Sequence, residues 1–111
     1  MNLLTEKIND VVILHVKEQR LDAQNSAEFR NRMLQLRENG EINIVVNLEE
    51  VRFIDSSGLG RLLSDYKNAI QQNGSLKLAG LQPQLQSIFE LTRLHRVFEI
   101  YPSVQEALGH A

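Results

Sequence analysis

Apolar and polar positions change their period several times along the chain, and each change marks a new element. Leu3 to Ile8 and Val11 to Val16 are short apolar runs on either side of Asn9-Asp10. That dipeptide tolerates the left-handed geometry of a hairpin turn. In the second run Val12, Leu14 and Val16 alternate with Val11, Ile13 and His15, so both faces of this strand are expected to be partly covered. Gln19 to Ser26 is polar and reads as a loop. Asn25 and Glu28 have the spacing of a capping box. Phe29, Met33 and Leu36 then form a helical stripe, with Arg30, Arg32, Gln35 and Arg37 on the wet side. Gly40 is placed to end this helix.

Ile42, Ile44, Val45, Val46 and Leu48 form a nearly continuous apolar run, the pattern of a central strand covered on both faces. The stretch Val51 to Leu63 follows. Phe53 and Ile54 are strand formers, and Asp55, Ser56 and Ser57 are the residue types that cap helices. Leu59, Leu62, Leu63, Tyr66, Ala69 and Ile70 recur at helical spacing and predict one buried face. Asn73-Gly74 is a left-handed stop. Leu76, Leu78 and Ala79 predict the next strand. Pro83 fits the first turn of a helix whose face is Leu85, Ile88, Phe89 and Thr92. Val97 to Tyr101 reads as a last strand broken by Pro102. Ser103 to Glu106 is a capping box for a short helix containing Ala107 and Leu108.

The order β-β-α-β-α-β-α-β-α predicts an α/β fold. Its mixed sheet is mostly parallel with right-handed crossovers, an antiparallel hairpin comes first, and about four helices follow. With 111 residues, the chain is expected to form a single domain over residues 1–111. A monomer of this size buries about two thirds of its unfolded surface, enough to fold without staples. There is no cysteine, which removes disulfides, thiolate metal sites and cysteine nucleophiles and fits a reducing compartment. A net charge of −2 speaks against a nucleic-acid partner, which needs a concentrated basic face. No apolar run reaches the length of a membrane span, and the first residues are not a signal peptide. A cytoplasmic protein is expected.

The candidate chemistry sits in Asp55-Ser56-Ser57-Gly58-Leu59-Gly60. Two hydroxyls and two glycines at a helix start leave a bare, polar N-terminus that a partner's backbone or a phosphate can approach. From the residues alone, Ser56 reads either as a phosphoacceptor or as an ordinary N-cap. Asp55 reads as an orienting group for that hydroxyl or as a turn former. Ser57 reads as a second cap or a contact. Gly58 and Gly60 allow close approach or satisfy the turn. Leu59 is core or an apolar anchor. His15, His95 and His110 are scattered without a second imidazole at helical spacing, so no metal site is expected. Gly58-Leu59-Gly60 is a fragment of a dinucleotide fingerprint whose third glycine would fall at Leu63, and no P-loop lysine follows. Neither serine sits in a G-x-S-x-G elbow. These patterns give little support to a metal site, a nucleotide site or a serine hydrolase.

The six-residue motif, with apolar residues before it and Leu62-Leu63 after it, resembles the signature of the STAS domain, and most of all that of the bacterial anti-sigma factor antagonists. The resemblance spans nearly the whole chain. It implies a phosphorylation-switched binding module. Unphosphorylated, it would bind an anti-sigma factor with serine kinase activity; the kinase would inactivate it at Ser56, and a PP2C-type phosphatase would restore it. The domain would be no enzyme and would need no cofactor of its own; ATP and metal would belong to the kinase. The resemblance also makes Asp22 a partner-contact candidate, since it matches the family's acidic residue in the loop beside the phosphoserine turn. From the residues alone, Asp22 is a loop or cap aspartate. The family commonly has Gly-Glu before an aliphatic residue and this Asp. Here the run is Gln19-Arg20-Leu21-Asp22, which shifts the expected partner patch towards acidic. Two other readings stay open: an accessory subunit of a lipid-transporting ABC ATPase complex, and a small nucleotide-binding protein.

Overall fold

The hairpin forms as its pattern predicts. In the computed structural model, which describes residues 1–109, β1 (Leu3–Ile8) pairs antiparallel with β2 (Val11–Val16). Asn9 takes the turn at φ 55. The remaining elements in chain order are β3 (Arg20–Leu21), α1 (Ser26–Glu38), β4 (Asn43–Asn47), β5 (Phe53–Ile54) and α2 (Ser56–Gln71). They are followed by β6 (Ser75–Ala79), α3 (Pro83–Leu91), a 3-10 turn (Leu94–Arg96), β7 (Glu99–Tyr101) and α4 (Val104–Gly109). His110 lies outside the described residues.

Five strands form one sheet in the order β1-β2-β4-β6-β7. Every pairing after the hairpin is parallel, as helical crossovers require. The alternation in β2 divides the core between the two faces. Leu14, Val46 and Leu78 stand side by side in register and pack with Phe29 and Met33 of α1, Leu62 and Ala69 of α2, and Leu85 and Phe89 of α3. Ile13 and Val45 face the other way, with Ala107 of α4. Burying a large apolar side chain of this kind contributes about 1.5–3 kcal/mol. Phe98 adds edge-to-face contacts with Phe89 and Tyr66, at centroid distances of 5.8 and 5.3 Å.

Several local expectations are corrected. The Gln19–Ser26 stretch holds the two-residue strand β3, too short to leave a periodic signal. The Asn25–Glu28 capping box does not form. Asn25 is the N-cap of α1 without a side-chain cap bond; its amide instead joins the loop, accepting from the Asp22 N–H and donating to the Arg20 carbonyl. Glu28 is drawn off by the N-terminal amine of Met1. Ile70 is exposed, because it lies about 80° around the helix from Leu62, in the last turn. Thr92 is the C-cap of α3, its hydroxyl donating to the Ile88 carbonyl, rather than part of the buried face. The last strand is only Glu99–Tyr101, because the N–H groups of Val97 and Phe98 bond back to the Leu94 carbonyl of the 3-10 turn. Arg37 is not simply on the wet side, since its Nε is buried.

Asp65 is a buried charge that the apolar stripe hides. It takes a two-point bond from Arg61 one turn earlier, at 3.2 and 2.9 Å. Burial pushes its carboxyl above the usual aspartate value, and Arg61, Arg37 and Arg30 pull it back. The other caps follow the sequence. Asn73 at φ 62 closes α2. The Ser103 hydroxyl accepts from the Glu106 N–H at the start of α4.

Candidate functional site

The site is built by the short second sheet. β3 runs parallel to β5, with Arg20 opposite Phe53 and Leu21 opposite Ile54. The Gln19 carbonyl accepts from the N–H groups of Arg52 and Phe53. This pairing carries the loop after β3 to the turn between β5 and α2. There Asp55, in extended geometry, is the N-cap of α2. One carboxylate oxygen accepts from the Gly58 N–H at 3.0 Å and the other from the Ala23 N–H at 3.1 Å. A single side chain therefore caps the helix and ties it to a loop 32 residues away in sequence.

Since Asp55 is the cap, Ser56 is not. Ser56 and Ser57 are the first two helical residues, both exposed. The Ser56 hydroxyl makes no hydrogen bond among the described residues. Gly60 is exposed too, and a Cβ built there meets nothing within 4 Å. Gly58 is different. It is buried, and a Cβ there would lie 2.4 Å from the Leu21 carbonyl oxygen and 2.7 Å from Ile54 Cγ1. Its close approach is to the chain's own β3, and its N–H is already used by Asp55. Leu59 is half-buried against the main core. Ser56, Ser57 and Gly60 thus face outwards, while Gly58 joins the turn to the scaffold.

Asp22 is nearly enclosed, at 8% exposure. One carboxylate oxygen accepts from Arg20 Nε at 3.0 Å, the other from the Gln24 N–H at 3.0 Å. The Arg20 guanidinium holds this carboxyl below the usual aspartate range against a desolvation that acts the other way, and the N–H groups of the loop assist. A lowered folded value means that the unfolded chain binds the proton more tightly, so the contribution to stability is present above the ordinary Asp value of 3.8. It is lost as the pH falls through the folded value. Denaturant melts of the parent and Asp22→Asn should differ at neutral pH in favour of the parent, with the gap closing below pH 3.8. A gap that is constant down to strong acid would show that the ion pair contributes nothing.

Sequence reasoning did not foresee that Arg20 also stacks on Phe53. Its Cζ lies 4.3 Å from the ring centroid, and Phe53 is 40% exposed. An aromatic residue two positions before the polar turn was the available signal. His15 is engaged in strand pairing, with Glu6 on Nε2 at 2.7 Å and the Asn47 amide on Nδ1 at 2.9 Å. Among the described residues, no group of three His, Cys, Asp or Glu is placed to hold a metal ion. No described helix is long and apolar enough to cross a membrane.

The STAS domain family model matches residues 2–107. The chain belongs to the STAS domain family. Among relatives, the anti-sigma-B factor antagonist of Bacillus subtilis is 31% identical over 80 residues, 72% of each chain. Among solved structures, an anti-sigma factor antagonist from Mycobacterium paratuberculosis superposes with a TM-score of 0.87 at 22% identity, covering 98% of this chain and 92% of that one. The Bacillus cell fate determinant SpoIIAA in its phosphorylated form gives 0.76 at 21% identity, covering 98% of both chains. These two likenesses concern the fold, and the small β3–β5 sheet with its capped turn belongs to the architecture of this STAS domain.

Proposed function

We propose that this STAS domain is an anti-sigma factor antagonist, a binding module that works in the cytoplasm and is switched by phosphorylation at Ser56. In this reading the unphosphorylated turn binds an anti-sigma factor with serine kinase activity and displaces that protein's other client. The kinase inactivates the domain by phosphorylating Ser56, and a PP2C-type phosphatase reverses the modification. The domain supplies no catalytic group and no cofactor. The observation that carries this reading is the exposed Ser56 hydroxyl, free of hydrogen bonds among the described residues, on a turn whose geometry is held by Asp55. The relatives named as anti-sigma factor antagonists support the partner class.

The chemistry of the turn suits such a switch. A kinase can reach the hydroxyl without unfolding anything. The N–H groups of Ser56 and Ser57 have no acceptor among the described residues, and the helix dipole favours an added anion by about 0.3–1 kcal/mol. The Asp55 carboxylate opposes it, but two N–H bonds already hold that carboxylate. Ser57, Leu59 and Gly60 flank the hydroxyl as contact surface. Asp55 and Gly58 act from behind as the frame.

The test is to incubate the protein with the anti-sigma factor kinase of the same organism and ATP, then map the modified residue. Transfer to Ser56 alone is expected. Transfer to Ser57, or none, would refute the assignment.

A further inference from the structure

The enclosed Asp22 and the exposed Arg20 change the electrostatic character of the docking face. We infer that Arg20, clamped between Asp22 and Phe53, is the specificity-determining residue with which this face grips a carboxylate on its protein partner. This deepens the docking role proposed above and rests on it. The charge at this spot belongs to the arginine. Asp22 has both carboxylate oxygens engaged within the chain, whereas the Arg20 side chain is 60% exposed. Only Nε is used by Asp22. The two terminal NH2 groups have no acceptor among the described residues, and together they form the end-on fork that fits a carboxylate with two parallel bonds.

The fork is also held in place. The Asp22 bond fixes one edge of the guanidinium, and its Cζ sits over the Phe53 ring. A free arginine loses much rotamer freedom on binding, and one already ordered loses less. Aromatic residues and arginine are enriched at protein interfaces relative to the rest of the surface. The clamp stands beside the Ser56 turn, because Phe53 is three residues before Ser56 and Ala23, next to Asp22, is bonded to Asp55. A partner seated on the turn therefore meets Arg20. The partner chemistry it fits is an aspartate or glutamate beside an apolar side chain that packs on Phe53.

The test titrates the anti-sigma factor kinase against the parent, Arg20→Ala, Arg20→Lys and Ser56→Asp by calorimetry, at about 50 and 300 mM salt, with a melting curve for each. A charge-assisted pair predicts that Arg20→Ala weakens binding about tenfold to a hundredfold, with a shallower salt dependence. Arg20→Lys should keep the fold and restore little affinity, since an ammonium lacks the fork and the stacking. Binding of Arg20→Ala within twofold of the parent would overturn the role, as would a loss with the parent's salt dependence, which is the mark of a merely structural residue. If Ser56→Asp loses binding while Arg20→Ala keeps it, the docking reading stands and the arginine's role falls. If the parent itself binds no kinase, the docking reading falls and takes the arginine's role with it.

Discussion

Phosphorylated at Ser56, the protein is expected to bind its kinase about a thousandfold more weakly than the unmodified form, with almost no loss of stability. The two halves of this expectation have separate causes. The Ser56 side chain is exposed and unbonded among the described residues, so the fold loses nothing when it is modified. The added group carries about −1.5 to −2 charges at a helix N-terminus that tolerates an anion. A docked partner would have to enclose that charge next to Asp55, at several kcal/mol if no cation meets it. About 4 kcal/mol corresponds to a thousandfold. Ser56→Asp adds one charge rather than two and should weaken binding at least about a hundredfold, while Ser56→Ala should bind like the parent. Melting temperatures of all three should lie within about 3 °C of the parent, the scale of a surface substitution. A large drop in melting temperature for the phosphorylated form would mean that the switch works by unfolding the turn.

Gly58→Ala is expected to destabilise the fold by about 3 kcal/mol, the upper end of the usual range for forcing an atom into a filled site. The new Cβ would meet the Leu21 carbonyl at 2.4 Å and Ile54 Cγ1 at 2.7 Å. The first neighbour is backbone held in the β3–β5 pairing, so relief requires separating α2 from that sheet and straining the Asp55 cap. A fall of roughly 10–20 °C in melting temperature should follow for a domain of this size. Gly60→Ala, two residues on, is the control. Its Cβ enters open space, and replacing glycine inside a helix should add about 0.5–1 kcal/mol. The same effect at the two positions, measured by denaturant titration, would show that the packing of α2 on β3 is looser than its geometry.

The main sheet and the helices were legible because their signals are long. Six residues of alternation in β2, the β-branched run of β4 and the stripes of α2 and α3 each repeat their period several times. The stops were legible for a chemical reason: Asn9, Asn73 and Gly40 are residue types that accept positive φ. The candidate hydroxyl was legible in type and place, since two serines follow an aspartate at the junction of a strand and a helix. Asp65 was not, because a buried charge inside an apolar stripe looks from the sequence like an ordinary polar position, and only the nearby arginines make it tolerable.

Local chemistry alone therefore determined the alternation of elements, the strand-to-helix turn and the resemblance carried by its six residues. It left open whether the two hydroxyls cap the helix or stand free, which of two glycines faces outwards, and what becomes of the acid in the first loop. The tertiary structure decided these, through a pair of two-residue strands too short to announce themselves. Their pairing brings Arg20 onto Phe53 and Ala23 onto Asp55 across more than thirty positions of chain. Periodicity reports which side of an element is dry. Contact between distant segments is fixed only when those segments pack, and that packing turned Gly58 inwards, left Ser56 in the open and gave the exposed charge to Arg20 rather than to Asp22.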